Sequence, residues 1–279
     1  MVAWVRRELD QLGIPPLKRF GQHFLIDKRV REEILEQSKL SRDDIVLEVG
    51  PGLGFLTVEL AAKAGRVIAV EKDRTLAKYL AKRLAGYRNL TIIEGDVLRV
   101  EIPQYTKMVA SPPYNISSKL VLMILEGKFE LATLLLQNEF AERLTARPGT
   151  AEYGRLTVMV QCRAHANVIS KVPRTAFNPK PRVDSALVTI TPSGKASQAN
   201  DWRLFSDLVR FLFTQRRRRL VGVLSQYLTG RFPDYHTGMM REITIPEKRV
   251  FEVGPEELVN LSNEIAATYA RLGRGTTGN

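Results

Sequence analysis

The stretch Glu48-Val49-Gly50-Pro51-Gly52-Leu53-Gly54-Phe55-Leu56-Thr57 decides how this chain folds. An apolar run, residues 45–47, leads into it and is typical of a buried strand. Three glycines at alternate positions then indicate a turn, and the residues after Phe55 can continue as a helix. A strand, a glycine turn and a helix in this order predict the ligand-binding corner of a doubly wound α/β sheet. Glycines suit that corner because a backbone without Cβ atoms lets a ligand approach closely.

The segment from residue 45 to about residue 138 alternates apolar strands with helical patterns. The predicted strands are residues 45–49, 67–71, 90–94, 107–111 and 131–137. This alternation predicts a mainly parallel sheet with helices on both faces, in which ligands bind at the carboxyl ends of the strands. Gly50, Glu71, Asp96 and Ser111 all fall at such ends, so we expect them to meet at one edge of the sheet.

The glycine spacing distinguishes two kinds of nucleotide site. A dinucleotide fingerprint that starts at Gly50 needs glycine at position 55, where this chain has Phe55. Glu71 follows the second strand about twenty residues after Gly50, where a carboxylate can accept hydrogen bonds from ribose hydroxyls. Asp96 could accept a bond from an adenine amine. The pattern E-x-G-x-G-x-G resembles the first motif of methyltransferases that depend on S-adenosyl-L-methionine. A generic Rossmann-like corner without that cofactor is the alternative.

Composition and charge narrow the choice of partner. The chain has 279 residues, enough for one large domain and a small one, and its single cysteine, Cys162, rules out an intrachain disulfide. We see neither a secretory signal nor an apolar run long enough to cross a membrane, and we expect a cytoplasmic protein. The net charge of +12 favours a polyanionic partner, with nucleic acid as the first candidate.

The segment Ser111-Pro112-Pro113-Tyr114 carries the most chemical information. Two successive prolines hold the backbone extended and donate no hydrogen bond, so their carbonyls can serve a ligand as fixed acceptors. The exocyclic amine of a flipped-out base could bond to the Ser111 hydroxyl and the Pro112 carbonyl while Tyr114 stacks on the ring. Such stacking contributes about 1–3 kcal/mol, which offsets much of the cost of unstacking a base. A proline-rich strand exit that only turns the chain is the alternative.

Several motifs together indicate a family. Ser-Pro-Pro-Tyr resembles the [Asp/Asn/Ser]-x-Pro-aromatic motif of methyltransferases that act on the amino groups of bases. With Gln22-His23-Phe24-Leu25, residues 153–156 and residues 177–185, the chain resembles the ribosomal RNA adenine dimethyltransferase family of the KsgA type. The matches extend from residue 18 to residue 220. His23, where bacterial members have asparagine, is similar to the archaeal and eukaryotic members.

The resemblance implies an enzyme that dimethylates adjacent adenines near the 3′ end of small-subunit ribosomal RNA during ribosome biogenesis. Its implied cofactor is S-adenosyl-L-methionine, with S-adenosyl-L-homocysteine as product and no metal. The residues implied to contact the cofactor or border its pocket are His23, Leu25, Gly50, Glu71, Asp96 and Ser111. The residues implied to act on the target adenine are Ser111, Pro112, Tyr114 and Phe177, with the two aromatic rings forming a sandwich. The expected partner is small-subunit ribosomal RNA or a pre-small ribosomal subunit, with no membrane and a monomeric protein.

Ser111 departs from the family pattern, which usually has asparagine there. Serine is shorter and offers one oxygen instead of an amide, so we expect an altered rate or an altered balance between mono- and dimethylation. An RNA-binding ribosome assembly factor with weak methylation therefore stays an alternative. A DNA amino-methyltransferase is another, although we see no separate target-recognition domain. A nicotinamide-dependent dehydrogenase is disfavoured by Phe55.

The predicted fold class is α/β, a Rossmann-like methyltransferase domain followed by a small C-terminal all-helical domain. The first domain is predicted over residues 1–192, with an irregular arm over 1–17, strands over 157–172 and 183–191, and an exposed Phe177. Residues 193–200 are small and polar and predict a linker. Residues 200–279 are predicted to form a helical RNA-binding domain. Its basic run resembles a basic helix of the family and is expected to contact RNA phosphates through Arg216, Arg217, Arg218 and Arg219.

Overall fold

The computed structural model describes residues 2–11, 13, 22–193 and 199–275. The strands are β1 (Phe24–Leu25), β2 (Ile45–Val49), β3 (Arg66–Glu71), β4 (Leu90–Glu94), β5 (Lys107–Ala110), β6 (Leu131–Gln137), β7 (Ala164–Val172), β8 (Phe177–Asn178) and β9 (Ser185–Pro192). The helices are α1 (Val2–Gln11), α2 (Lys28–Gln37), α3 (Phe55–Lys63), α4 (Arg74–Arg83), α5 (Ser117–Glu126), α6 (Asn138–Leu144), α7 (Arg155–Arg163), α8 (Trp202–Leu212), α9 (Leu220–Arg231), α10 (His236–Glu242) and α11 (Pro255–Gly275). Within these residues, no helix has both the length and the apolar character that a membrane span needs.

Seven strands form one sheet in the order β4-β3-β2-β5-β6-β9-β7. The ladders from β4 to β6 are parallel, and β9 joins β6 in antiparallel register. Strand order reverses on either side of β2, because β3 lies on one side of it and β5 on the other. This reversal opens a crevice at the carboxyl ends of β2 and β5, which is where open α/β sheets bind ligands. The predicted parallel sheet is therefore confirmed.

The sheet forms because its central strands are apolar on both faces. Val46, Leu47, Val67 and Ile68 have no solvent exposure, as expected for strands with helices packed on both sides. Two of the helices, α2 and α4, begin at aspartate residues whose side chains cap the first turn. Asp73 is one of these caps, and its carboxylate accepts hydrogen bonds from the backbone N–H groups of Thr75 and Leu76 at the start of α4.

The N-terminal segment is a helix, so the prediction of an irregular arm is wrong for residues 2–11. Val5 and Leu9 lie one helical turn apart and are buried against Phe24, Leu53 and Leu76. Burial of that apolar face is what stabilises α1. The rest of the predicted arm, residues 12 and 14–17, and the motif residues 18–21 lie outside the described residues, except Gly13.

Residues 157–163 also differ from the prediction, because they belong to helix α7 and not to a strand. Strand β7 begins only at Ala164. Leu156, Val158, Met159 and Val160 are all buried in this helix. A short run that is apolar at almost every position fits a buried helix as well as a strand, so periodicity alone could not separate the two.

The chain divides into two compact units. The first contains Met1–Ala141 and His165–Pro192, and the second contains Glu142–Ala164 and Ser193–Asn279. The prediction kept residues 142–164 in the first domain, whereas the structure groups them with the helices. The reason is that α7 packs against α8 and α11. Within the predicted linker, residues 194–198 lie outside the described residues.

Specific polar contacts hold the second unit together. Tyr153 has no solvent exposure, and its hydroxyl donates to the Val253 carbonyl at 2.8 Å. The Arg163 guanidinium lies 3.8 Å from the centre of the Trp202 ring, a close cation–π contact. These contacts join the segment before β7 to the helices that follow the sheet in sequence.

Candidate active site

One cavity of about 200 Å³ brings most of the predicted site residues together. It opens where β2, β3, β4 and β5 end. Among the residues that line it are His23, Gly50, Glu71, Asp96, Ser111, Pro112, Tyr114 and Phe177. Leu25 is the exception, because it lines a smaller neighbouring cavity. That smaller cavity shares His23, Gly50 and Ser111 with the larger one.

The glycine turn forms one wall of the cavity. Gly50, Gly52 and Gly54 have φ angles of +73°, +58° and +80°, a left-handed conformation that glycine adopts without a Cβ penalty. A Cβ at Gly52 would lie 2.9 Å from the Phe24 ring, so no larger residue fits without a shift of that ring. The turn therefore presents bare backbone to whatever occupies the cavity.

Glu71 ends β3 with a buried carboxylate that holds the glycine turn. One of its oxygens accepts a hydrogen bond from the Gly52 N–H at 3.1 Å, and the other accepts from the Asp73 N–H at 2.9 Å. Burial raises the pKa of Glu71 to about 7, although these backbone bonds favour the charged form. Because a carboxylate oxygen can accept more than one bond, both oxygens keep capacity for ligand hydroxyls.

Glu48 is a second buried carboxyl group, and the sequence reasoning gave it no role. It lies on β2, is 2% exposed, and lines the smaller cavity. Its Oε2 atom has no hydrogen-bond partner among the described residues. Burial raises the pKa of Glu48 to about 8, and the nearby charge of Glu71 contributes to the rise. Its place inside an otherwise apolar strand, Ile45–Val49, was the sequence signal for this burial.

Asp96 lies at the rim in a charged setting. Its carboxylate contacts the Lys72 ammonium at 2.9 Å and accepts from the Leu98 N–H at 3.1 Å. The hydrogen bond from Lys72 lowers the pKa of Asp96, which keeps it an ionised acceptor. Lys72, Asp73 and Gln22 also line the cavity and were missed as site residues. The signal for the first two was that they directly follow Glu71 at the strand end.

Tyr114 begins a short 3₁₀ turn after β5 and is half-buried. Its hydroxyl lies 2.7 Å from the Ser185 hydroxyl, and burial raises the pKa of the phenol. The His23 ring stacks against Tyr114 with centroids 5.9 Å apart. His23 Nδ1 lies 2.8 Å from the Pro179 carbonyl oxygen. Since a carbonyl can only accept, Nδ1 carries the proton in this contact.

Phe177 is 3% exposed, so its predicted exposure is wrong. It pairs with Leu25 in the short β1–β8 ladder, and this ladder draws its ring into a core cluster that includes Val30 and Leu187. The residue still lines the cavity. A ligand in the cavity would therefore meet a ring that the core holds in place.

The basic run of the second unit is not helical, contrary to the family-based expectation. A 3₁₀ turn, Phe213–Gln215, precedes it, and α9 begins only at Leu220. Arg216 is engaged internally, because its guanidinium donates to the carbonyls of Thr150 and Ala151 at 3.3 and 2.8 Å. The three residues that follow, Arg217 to Arg219, have exposed side chains.

Comparison with solved structures identifies the class of protein. A dimethyladenosine transferase from Plasmodium falciparum aligns with a TM-score of 0.80 and 28% identity, over 88% of this chain and 98% of that one. The 23S rRNA methyltransferase ErmE aligns with a TM-score of 0.64 and 30% identity, over 87% of this chain and 99% of that one. The fold is that of a methyltransferase.

Sequence comparison then identifies the family. The family model described as ribosomal RNA adenine dimethylase matches residues 17–267. The "Probable ribosomal RNA small subunit methyltransferase A" of Pyrococcus abyssi is 41% identical over 90% of this chain and 92% of its own length. The protein of that name from Methanothermobacter thermautotrophicus is 39% identical over 93% of this chain and 94% of its own length. This chain belongs to the ribosomal RNA adenine dimethylase family, and the resemblance inferred from its motifs is confirmed.

Proposed function

We propose that this protein transfers methyl groups from S-adenosyl-L-methionine to the exocyclic amines of adjacent adenines near the 3′ end of small-subunit ribosomal RNA. Dimethyladenosine and S-adenosyl-L-homocysteine are the products, and the reaction belongs to ribosome biogenesis. The observation that carries the proposal is the single cavity that combines Gly50, Glu71 and Asp96 with the Ser111–Tyr114 segment. Family membership supports adenine as the target, and the names of the relatives support the small subunit.

The described residues fit S-adenosyl-L-methionine. Glu71 keeps acceptor capacity for ribose hydroxyls, and ionised Asp96 suits an adenine amine. Gly50 and Gly52 leave a backbone surface that side chains would fill, and His23 and Leu25 border the same region. When bound, the cofactor supplies a methyl group on a sulfonium that is already a strong electrophile.

The protein's own contribution is then mainly to position the target base. In the first transfer, Ser111 and the Pro112 carbonyl would accept hydrogen bonds from the two protons of the adenine amine; in the second, the methylated amine has one proton left to donate. These bonds favour a pyramidal nitrogen and stabilise the positive charge that develops on it. Tyr114 and Phe177 would hold the flipped base between their rings, and the stacking offsets part of the unstacking cost.

Three arginines are the proposed RNA contacts of the second unit. Arg217, Arg218 and Arg219 are exposed, so they can approach phosphates and provide affinity that is independent of sequence. We give Arg216 a structural role instead, because its guanidinium donates hydrogen bonds to backbone carbonyls of the same unit.

A second candidate substrate is large-subunit ribosomal RNA, which the name of ErmE, a 23S rRNA methyltransferase, suggests. The chain is 41% identical to a relative named for the small subunit and 30% identical to ErmE. We therefore favour the small subunit.

Labelled S-adenosyl-L-methionine tests this choice. Unmethylated small subunits, large subunits and duplex DNA would be offered in parallel, and the modified nucleosides identified by mass after digestion. We expect dimethyladenosine in the small subunit alone. Tyr114→Ala should abolish it, whereas Tyr87→Ala, at an exposed tyrosine of the same unit, should not. Label in the large subunit or in DNA would contradict the proposal. Tight subunit binding without label would indicate an assembly factor.

A further inference from the structure

Two consecutive residues, Asp184 and Ser185, make hydrogen bonds to the segments that carry Tyr114 and Phe177. Ser185 is the first residue of β9 and has no solvent exposure. It pairs with Gln137 at the end of β6, and the Asn138 N–H donates to the Asp184 carbonyl at 3.0 Å. The sheet therefore fixes the backbone of this dipeptide.

Each member of the dipeptide contacts the segment that carries one ring. The Ser185 hydroxyl lies 2.7 Å from the Tyr114 hydroxyl. The Asp184 carboxylate accepts from the Arg174 N–H at 2.9 Å. Arg174 begins the 3₁₀ turn Arg174–Ala176, which leads directly into Phe177.

We propose that Asp184 and Ser185 are positioning residues that set the placement of Tyr114 and Phe177 around the target adenine. This inference rests on the proposed function. Ser185 fixes the tyrosine by its hydroxyl, and Asp184 fixes the turn before the phenylalanine. The spacing between the rings thus depends on one rigid point of the sheet and not on two independent loops.

The chemistry explains why this placement matters for a base that is methylated twice. The second transfer acts on an amine that already bears a methyl group. The adenine ring must then bind in a slightly different position, with its exocyclic nitrogen still in line with the methyl group that is transferred. Reactions that depend on orientation lose rate when the reacting atoms are misplaced by as little as an ångström. A loosened Tyr114 ring should therefore lower kcat, and lower it more for the second methyl than for the first.

Ser185→Ala tests the contact to Tyr114, with Thr189→Ala as the matched control. Thr189 is a buried hydroxyl residue on the same strand, four positions away. We expect Ser185→Ala to lower kcat about three- to tenfold, the effect of removing one hydrogen bond, and to raise the monomethyl share of the product. The KM for S-adenosyl-L-methionine should stay unchanged, and Thr189→Ala should leave kcat and the product ratio unchanged.

A double-mutant cycle separates positioning from general destabilisation. Tyr114→Phe removes the hydroxyl that Ser185 contacts, so Ser185→Ala should cause no further loss of kcat in that background. An equal loss in both backgrounds would overturn the role of Ser185. For Asp184, Asp184→Asn keeps an acceptor for the Arg174 N–H and should retain activity, whereas Asp184→Ala should not. Equal activity of these two variants would overturn the role of Asp184.

Fluorine NMR of a fluorotyrosine placed at position 114 tests the contact without any RNA. Ser185→Ala should shift and broaden this resonance, and Thr189→Ala should not. An unchanged resonance in Ser185→Ala would overturn the inference even if the enzyme is active. If the resonance shifts in Ser185→Ala but the wild-type protein methylates no ribosomal RNA, the contact between Ser185 and Tyr114 is supported and the proposed function is refuted.

Discussion

At the scale of single residues, two buried carboxyl groups give the stability a pH dependence of defined sign. Burial raises the pKa of Glu48 to about 8 and that of Glu71 to about 7, from an ordinary value of 4.5. Between the ordinary and the raised values the folded protein binds more protons than the unfolded chain. The contribution of these two groups to the unfolding free energy is therefore complete below about pH 4.5. It is lost as the pH rises through about 7 for Glu71 and about 8 for Glu48.

The Glu48→Gln variant tests this sign. We expect the unfolding free energy of the wild type, from urea titrations, to fall by a few kcal/mol between pH 5 and pH 9. Glutamine does not titrate, so the variant should lose the part of the fall that Glu48 causes, which spans about pH 4.5 to pH 8. Parallel curves for the two proteins would show that Glu48 is not the group responsible.

Ser111 stands where the family motif is expected to have asparagine, and it lines the cavity beside Pro112. We expect Ser111→Ala to lower kcat roughly tenfold. The variant loses one hydrogen bond to the transition state, which contributes about 1.4 kcal/mol, and this energy corresponds to a tenfold change in rate. Ser111→Asn should change the ratio of mono- to dimethyladenosine, measured by mass. Ser117→Ala is the control, because this buried hydroxyl has no partner among the described residues. An unchanged product ratio in Ser111→Asn would remove Ser111 as a determinant of product.

At the scale of elements, the glycine turn should tolerate substitution far less than a glycine within a helix. Gly54 has a φ of +80°, and a Cβ there would lie 2.6 Å from a methyl carbon of Leu80, a fully buried residue. We expect Gly54→Ala to cost about 1–3 kcal/mol of unfolding free energy. Gly222 lies in α9, and apart from its chain neighbours and the nearby backbone of that helix, no atom of the described residues comes within 4 Å of such a Cβ. We expect Gly222→Ala to raise the unfolding free energy by about 0.5–1 kcal/mol. Urea unfolding of both variants is the measurement, and a shift of the two in the same direction would contradict this account.

The elements differ in how well the sequence alone predicts them. The central strands could be predicted to within a residue because β2, β3 and β5 are largely apolar, and their carboxyl ends must share one edge. The helix α1 could not be predicted as easily, since it depends on contacts made by the fold. Trp4 packs on the Phe55 ring with centroids 5.1 Å apart, and Glu8 accepts a hydrogen bond from the Tyr79 hydroxyl.

The site divides along the same line. Gly50, Glu71 and Asp96 could be predicted because strand ends alone place them. The burial of Phe177 could not, because it results from pairing with Leu25, about 150 residues earlier in the chain. No local pattern encodes such a pairing.

At the scale of the whole molecule, the net charge of +12 should appear as salt-dependent RNA binding. Replacing Arg217, Arg218 and Arg219 together by alanine should weaken binding to the 3′-terminal small-subunit RNA. It should also reduce the slope of log affinity against log salt by roughly 0.7–0.9 for each phosphate that the protein no longer neutralises. A triple variant with the wild-type slope would place the RNA-binding surface elsewhere.

Arg216→Ala provides the contrast within the same run. Its guanidinium holds the Thr150 and Ala151 carbonyls, and hydrogen bonds to charged groups contribute about 1.5–3 kcal/mol. We expect this variant to lower the melting temperature and to leave the salt slope unchanged. The opposite pattern would return Arg216 to the RNA-binding residues.

The division of the chain into units has a consequence for how the protein is made. Helix α7 belongs to the second unit, yet the ribosome synthesises it before β7, β8 and β9 and long before α11. Its apolar residues Val158, Met159 and Val160 are therefore made before α8 and α11, the two helices that α7 packs against. A chain released near residue 192 would carry all seven strands of the sheet but would lack the two helices against which α7 packs. Neither unit corresponds to one continuous piece of the gene, so evolution could not have exchanged either of them by a single simple fusion.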